Sequence, residues 1–178
     1  MKGIIFNLLE RVVTTELGEP AWERVLDEAG LEGAYTAVGT YDDSELTRLA
    51  QAAASILNKE TDEVVRWFGE KAFPLLSERY PDFVSGHTST IPFLLQLNDV
   101  IHPEVRKLFP GAYAPEFDFV RVDSSTLALG YESYRNLCAF AEGLVGGAAA
   151  HFGETVTIEQ TACARRGDPK CVLLCRFA

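Results

Sequence analysis

Apolar residues in the first two-thirds of the chain recur every three to four positions, which is the spacing of a buried helix face. The stripe from Ile4 to Val13 predicts a first helix, and Gly18 followed by Pro20 ends it. A polar, glycine-containing stretch from 81 to 90 indicates a loop. The same period predicts further helices near residues 22–29, 46–57, 64–76, 91–97 and 100–109.

Beyond Pro115 the apolar period shortens to two residues, which is typical of half-buried strands. Phe117 and Phe119 alternate with polar neighbours, and the alternation resumes after a turn at residues 123–125. A further helix and a second hairpin are predicted at residues 136–152 and 156–177. The sequence therefore predicts an α+β fold, in which a mainly helical N-terminal two-thirds packs on a four-stranded antiparallel sheet with one inserted helix.

The length of 178 residues and the hydrophobic fraction of 47% are typical of one globular domain. We expect a single domain over residues 1–178, with a helical part to about residue 110 and a sheet-containing part from about 111 to 178. The net charge of −10 disfavours nucleic acids and anionic membranes, and it favours basic partners or small neutral ligands. No apolar run is long enough to span a bilayer and the start is unlike a secretory signal, so we expect a cytoplasmic location.

All four cysteines lie in the last quarter of the chain, at Cys138, Cys163, Cys171 and Cys175. Without an export signal, such a cluster indicates a metal site or a redox switch rather than a disulfide framework. The alternative is that the four cysteines are simply small buried hydrophobic residues.

A short motif at the end of the second predicted strand combines two hydroxyls with a guanidinium. Tyr131, Ser133 and Arg135 are spaced two residues apart, so on a regular strand they share one face. Each hydroxyl can donate one hydrogen bond and the guanidinium can engage a carboxylate with two, so the motif suits a carboxylate ligand. Taken alone, the pattern also fits an ordinary solvated strand face.

His102 lies upstream of this motif, in the segment from Asn98 to Phe109, and Pro115 lies between the two. A lone histidine in a helix is usually structural. A helical histidine followed by a proline and then by Tyr-x-Ser-x-Arg, however, resembles the haem nitric oxide/oxygen binding family, the H-NOX domains. The resemblance also covers the length, the Met-Lys-Gly start and the helical first two-thirds.

The resemblance implies a haem b cofactor. His102 would be the axial iron ligand, and Pro115 would press on the porphyrin. The two haem propionates would be bound by the three residues of the motif, Tyr131, Ser133 and Arg135. Pro103 directly follows His102, so we expect the histidine at a first helical turn or a kink.

The gas-binding side of the haem can be compared in the same way. Family members that bind O2 stably carry a tyrosine on the helix after the Tyr-x-Ser-x-Arg strand, and this sequence has Phe140 at the matching position. Together with Ile5 and Leu144, Phe140 would form an apolar pocket without a hydrogen-bond donor, which favours NO and CO over O2. Tyr80 and Tyr134 are the nearest other hydroxyls, and Tyr134 is predicted to point to the opposite strand face.

The cysteines resemble a second feature of the family, because some bacterial members carry a structural or redox-active zinc near the C-terminus. Cys138, Cys163 and Cys171 are similar to its thiolate ligands. For the fourth ligand Gln160 is chemically poor, which leaves Cys175 as the better candidate. On a regular strand Cys175 lies roughly 13 Å from Cys171, so a bend would have to close that gap. Redox-sensitive free thiols are the alternative to zinc.

The predicted function is that of a haem-based sensor of NO and CO that has no catalytic activity. By resemblance, its signalling partner is a separate histidine kinase or cyclic-di-GMP enzyme. The alternatives are a haem-free small-ligand or zinc-stabilised sensory domain of the vinyl-reductase type, and a cysteine-based redox sensor. No glycine-rich phosphate loop, nucleophile elbow or convincing carboxylate pair supports an enzyme.

Overall fold

The computed structural model describes all 178 residues and contains seven α-helices and four strands. The helices are α1 Gly3–Leu17, α2 Glu19–Ala29, α3 Asp43–Leu57, α4 Thr61–Arg79, α5 Thr90–Leu94, α6 His102–Leu108 and α7 Cys138–His151. The strands are β1 Glu116–Arg121, β2 Thr126–Glu132, β3 Val156–Ala162 and β4 Cys171–Phe177. The predicted α+β fold is confirmed. Among the helices, none has the length and apolar character needed to cross a membrane.

The strands form one antiparallel sheet in the order β1-β2-β4-β3. In its centre Tyr131 of β2 pairs with Cys171 of β4, and Leu129 pairs with Leu173. Because alternate residues of a strand point to opposite faces, these four side chains share the buried inner face. The first turn of α7 brings Cys138 to the same place.

Two hydrophobic cores lie side by side in the molecule. One is built from α1 to α4, and the other lies between the sheet, α5 and α7. Helices α4 and α7 join them by packing at very short range. A Cβ atom on Gly143 would lie 2.0 Å from the backbone oxygen of Arg66, and one on Gly69 would lie 2.5 Å from that of Phe140. The two helices can therefore approach this closely only because glycine has no side chain.

The segment around His102 differs from the prediction of two helices near residues 91–97 and 100–109. The structure has the short helix α5, a wide turn with π-type hydrogen bonding at Leu97–Ile101, and α6, which begins at His102. Pro103 has no N–H to donate to the preceding turn, so it is tolerated at a helix start but not within a continuous helix. The expectation that His102 lies at a first helical turn is confirmed.

We predict that Gly143→Ala lowers the free energy of unfolding by about 1–3 kcal/mol, because the new methyl group forces α4 and α7 apart. Gly146 is a matched control on the same helix, since a Cβ atom there meets nothing within 4 Å. Gly146→Ala should stabilise the protein by up to about 1 kcal/mol through helix propensity. Urea unfolding followed by circular dichroism measures both changes, and equal stability of the two variants would contradict the close helix contact.

Candidate functional site

An apolar cavity of about 320 Å³ lies between the two cores. Hydrophobic residues make up 26 of its 34 lining residues. A mostly apolar cavity with a few convergent polar groups is the usual form of a cofactor site. The cavity brings together every residue predicted for a haem site, namely His102, Pro115, Tyr131, Ser133, Arg135, Ile5, Phe140 and Leu144.

His102 lines one wall of the cavity, and its ring packs at 5.6 Å from the ring of Phe117. Burial and, to a smaller extent, the charge of Arg106 lower the pKa of His102 to about 4. Its Nδ1 atom is buried and has no hydrogen-bond partner. The nearby backbone of Pro115 opposes the lowering of the pKa slightly. The imidazole is therefore neutral at pH 7, which is the form that binds metals.

Arg135 supplies positive charge to the cavity, and its side chain is only 11% exposed. The guanidinium lies over the rings of Tyr113 and Tyr134, at 4.9 Å from each centroid. Its Nε donates to Asp43 at 2.9 Å and its Nη1 donates to the Tyr113 carbonyl oxygen at 3.1 Å. Nη2 makes no hydrogen bond in the protein, so a fixed donor group is left for an anionic ligand.

Asp43 holds this guanidinium in place. Burial opposes ionisation of its carboxyl group, but hydrogen bonds from the Met1 α-amino group, Arg135 and Tyr134 outweigh that effect and lower the pKa of Asp43. The carboxylate therefore stays charged at neutral pH. Asp43 lies at the start of α3, and no signal in the sequence connects it with Arg135, which lies 92 residues away.

The motif Tyr131, Ser133 and Arg135 does not lie on one strand face as predicted, because β2 ends at Glu132. The chain turns at Ser133, whose Oγ accepts a hydrogen bond from the Arg135 N–H at 3.2 Å. The Tyr131 hydroxyl accepts a hydrogen bond from the Leu137 N–H at 3.1 Å, and burial raises the pKa of Tyr131. The phenol thus keeps its proton and can donate it in a hydrogen bond. Tyr131 reaches the cavity from β2, whereas Ser133 and Arg135 reach it from the turn that follows the strand.

The opposite wall of the cavity is apolar. Ile5 comes from α1, and Phe140 and Leu144 come from α7. The Phe140 ring stacks on the Phe68 ring at a centroid distance of 4.9 Å. Tyr80 also lines the cavity, and its ring lies 5.8 Å from that of Phe83. Tyr134 follows the end of β2 and does not line the cavity, and its hydroxyl donates to Asp43.

A second polar site lies at the start of α7. The sulfur atoms of Cys138, Cys163 and Cys171 all lie within 4.8 Å of one another, and the three residues are buried. The sulfurs of Cys163 and Cys171 are 3.9 Å apart. N–H groups surround these sulfurs: the Ala164 N–H donates to Cys171 at 3.4 Å, and Arg165 Nη2 donates to Cys138 at 3.8 Å. Three converging sulfurs with N–H donors are suited to thiolates bound to a metal ion.

The structure does not bring Cys175 to this cluster. Cys175 lies four residues along β4, pairs with Leu127 and Ile158 in the neighbouring strands, and donates its S–H to the Leu173 carbonyl. Burial raises the pKa of Cys175 to about 12, so it is a neutral thiol in the core. Regular strand geometry keeps it far from the other sulfurs, because β4 contains no bend between the two cysteines.

Arg165 is the member of this site that sequence reasoning missed. Its guanidinium also donates to Asp62 on α4, at 2.9 Å from Nη1. The hydrogen bonds of Arg165 offset the effect of burial and lower the pKa of Cys163. Burial raises the pKa of Cys171 to about 12, so the two neighbouring thiols differ in acidity.

The fold encloses a mainly apolar cavity that presents one imidazole and one guanidinium, which suits an apolar cofactor bearing acidic groups. Residues 2–160 match the sequence model of the haem-NO-binding family, and the chain belongs to this family. Proteins of this family bind haem and are gas sensors rather than enzymes in their own right.

Solved structures with the same fold include H-NOX proteins from two bacteria. The crystal structure of an H-NOX protein from S. oneidensis in the Fe(II)NO state has a TM-score of 0.92 and 34% identity, and the match covers 100% of this chain and 99% of that one. The NMR structure of the same organism's H-NOX domain in the Fe(II)CO state has a TM-score of 0.89 with equal identity and coverage. Unliganded Fe(II) H-NOX from K. algicida matches 100% of this chain and 97% of its own, at 26% identity and a TM-score of 0.86.

Proposed function

We propose that this protein senses NO and CO through a ferrous haem b held by His102, excludes O2, and signals to a separate partner. The observation that carries the proposal is the pairing of two groups on one apolar cavity. A neutral, buried imidazole lies on one wall, and a guanidinium with a free donor lies at the polar end. An iron porphyrin needs both, because its metal takes a neutral nitrogen ligand and its propionates need donors and positive charge.

The residues of the cavity divide the work of holding this cofactor. The His102 imidazole would bind the iron, and Pro115 would contact the porphyrin. Arg135, Ser133 and Tyr131 would bind the propionates. When bound, the haem supplies the iron that coordinates the gas. Relatives from S. oneidensis in the Fe(II)NO and Fe(II)CO states support this choice of ligands.

Discrimination against O2 follows from what the apolar wall does not offer. Bound O2 gains from a hydrogen bond to its outer oxygen, whereas NO and CO gain much less. Ile5, Phe140 and Leu144 have no hydrogen-bond donor. The wall therefore leaves bound O2 without a stabilising hydrogen bond, although it does not block the entry of O2.

The segment that carries His102 is built to move. α6 has seven residues, none of them fully buried, and it follows a single π-type turn. A small change at His102 can therefore shift α6 without breaking a core, and that shift would be the signal. By family resemblance the receiver is a histidine kinase or a cyclic-di-GMP enzyme.

The four cysteines are free thiols, which fits a reducing, cytoplasmic compartment.

We also propose one zinc ion bound by Cys138, Cys163 and Cys171. The three sulfurs are close enough for one ion, and Arg165 balances part of the thiolate charge. No fourth His, Cys, Asp or Glu joins the group, so a water or another ligand would complete the tetrahedron. The metal would tie the last hairpin to α7.

Replacement of His102 by glycine should abolish stable haem binding during purification, because the cavity has no second neutral nitrogen ligand on that wall. Added imidazole should restore the haem spectrum by filling the space left by the side chain. His87→Gly is the control, since His87 lies outside the cavity. An unchanged ferrous spectrum of H102G without imidazole would show that another residue binds the iron.

The wild-type ferrous protein in air should show no stable oxy spectrum, and it should bind NO and CO. Phe140→Tyr should raise O2 affinity by about ten-fold, the effect of one hydrogen bond of about 1.4 kcal/mol. Phe68→Tyr adds the same hydroxyl to the stacked partner ring, which does not line this cavity, and should leave the O2 affinity unchanged. A persistent oxy complex in the wild type would mean that a donor such as Tyr80 serves the pocket.

Protein purified without chelators should contain one equivalent of zinc by elemental analysis. Cys163→Ser should lose the metal, because serine cannot replace the thiolate. Cys175→Ala should keep it, because Cys175 lies apart from the cluster. Metal well below one equivalent in the wild type, with a disulfide in its place, would overturn the zinc site.

A further inference from the structure

The side-chain amide of Asn98 links the segment that carries His102 to the edge of the sheet. Asn98 lies in the π-type turn at Leu97–Ile101, and its amide makes two hydrogen bonds with one residue of β1. Nδ2 donates to the Phe117 carbonyl oxygen, and Oδ1 accepts from the Phe117 N–H at 3.2 Å. A pair of bonds from one planar amide fixes both the distance and the orientation between the turn and the strand.

The partner of this amide belongs to an edge strand, since β1 pairs with β2 on one side and with no strand on the other. The free N–H and C=O groups of such an edge are normally left to water or to another chain. At Phe117 they are taken up by a residue that lies four positions before His102. The backbone also connects the two positions, because the His102 N–H donates to the carbonyl oxygen of Leu97, the neighbour of Asn98.

The Phe117 ring contacts two of the residues predicted to bind the haem. Its centroid lies 5.6 Å from that of His102 and 5.8 Å from that of Tyr131. Phe117 itself lines the cavity, whereas Asn98 does not. The Phe117 side chain therefore supports the His102 imidazole from the side of the sheet, while Asn98 holds the Phe117 backbone.

The His102 ring lacks the hydrogen bond that would usually orient it. A histidine that binds a metal through one ring nitrogen commonly donates its other N–H to a carboxylate or a carbonyl oxygen, and that bond fixes the ring. The Nδ1 atom of His102 is buried and has no hydrogen-bond partner. The orientation of the imidazole therefore depends on packing, and the Phe117 ring is an aromatic surface against which it packs.

We propose that Asn98 is a positioning residue for the iron ligand: its amide holds Phe117 against the π-type turn, and Phe117 sets the orientation of the His102 imidazole. This inference rests on the proposed function and adds to it a residue that lies outside the cofactor cavity. The position requires an amide, because one group has to donate to a carbonyl oxygen and accept from an N–H at the same time. A leucine of similar volume can do neither.

Asn98→Leu and Asn98→Ala test the amide pair in the full-length protein. Hydrogen exchange of the Phe117 N–H, followed by NMR, should become about ten-fold faster, because the exposed edge loses its acceptor. The ring protons of His102 should change chemical shift, since they lie beside the Phe117 ring. In the ferrous haem protein the iron–histidine stretching band, measured by resonance Raman spectroscopy, should shift or broaden.

Gln96→Leu is the matched control, because it removes an exposed amide that makes no hydrogen bond just before the same turn. It should leave the Phe117 exchange, the His102 ring signals and the stretching band unchanged. Faster exchange in the Asn98 variants with unchanged His102 signals and an unchanged band would show that Asn98 only covers the strand edge, and this would overturn the positioning role. Unchanged exchange would overturn it too. If Asn98→Leu does not fold, Asn98→Ala decides the question.

The NMR measurements need no haem, so they separate this inference from the proposed function. If the protein binds no haem, the sensor proposal fails. Altered His102 ring signals in the Asn98 variants still support the link through Phe117 in that case. If the variants bind NO and CO normally and keep both the wild-type band and the wild-type His102 signals, the positioning role is wrong and the sensor function stands.

Discussion

The ion pair between Asp43 and Arg135 joins the helical half of the chain to the sheet half at the polar end of the cavity. Asp43 begins α3, Arg135 follows β2, and their side chains meet at 2.9 Å. Removal of a guanidinium from water is costly unless a fixed carboxylate and further acceptors replace the lost hydration. Asp43, the Tyr113 carbonyl and two aromatic rings supply that replacement. The free edge of Arg135 is thereby held in place before any ligand arrives.

The apolar cavity depends on a second constraint, which is the short contact between α4 and α7. Glycines at the crossing let the two helices meet at the backbone. This contact fixes α7 relative to the helical core, and α7 carries both Phe140 and Leu144. The cavity wall formed by Phe140 and Leu144 is therefore held in position by the close packing of α4 against α7. The helix α6, which carries His102, has no fully buried residue and begins at a turn defined by Pro103. In the proposed function, gas discrimination therefore falls to the wall fixed by this crossing, and signalling falls to α6.

At the thiol cluster, as at the Asp43–Arg135 ion pair, one charged side chain connects elements that lie far apart in the chain. Arg165 connects the final hairpin to α4 through Asp62, and it donates to the sulfur of Cys138 as well. Its guanidinium places positive charge beside the sulfur of Cys138, and its hydrogen bonds help to lower the pKa of Cys163.

The sequence by itself determined the elements of the fold, since the change from a helical to a two-residue period after Pro115 follows directly from which side chains must be buried. It also placed His102 at a helix start, because Pro103 acts locally on the backbone. Only the tertiary structure decided that β2 ends before Ser133 and that Asp43 and Arg165 serve the two sites. Each of these facts depends on contacts between residues far apart in the chain, such as the 92 residues that separate Asp43 from Arg135. Local patterns carry no information about such contacts, because the same capping or surface charge is compatible with many arrangements of the elements.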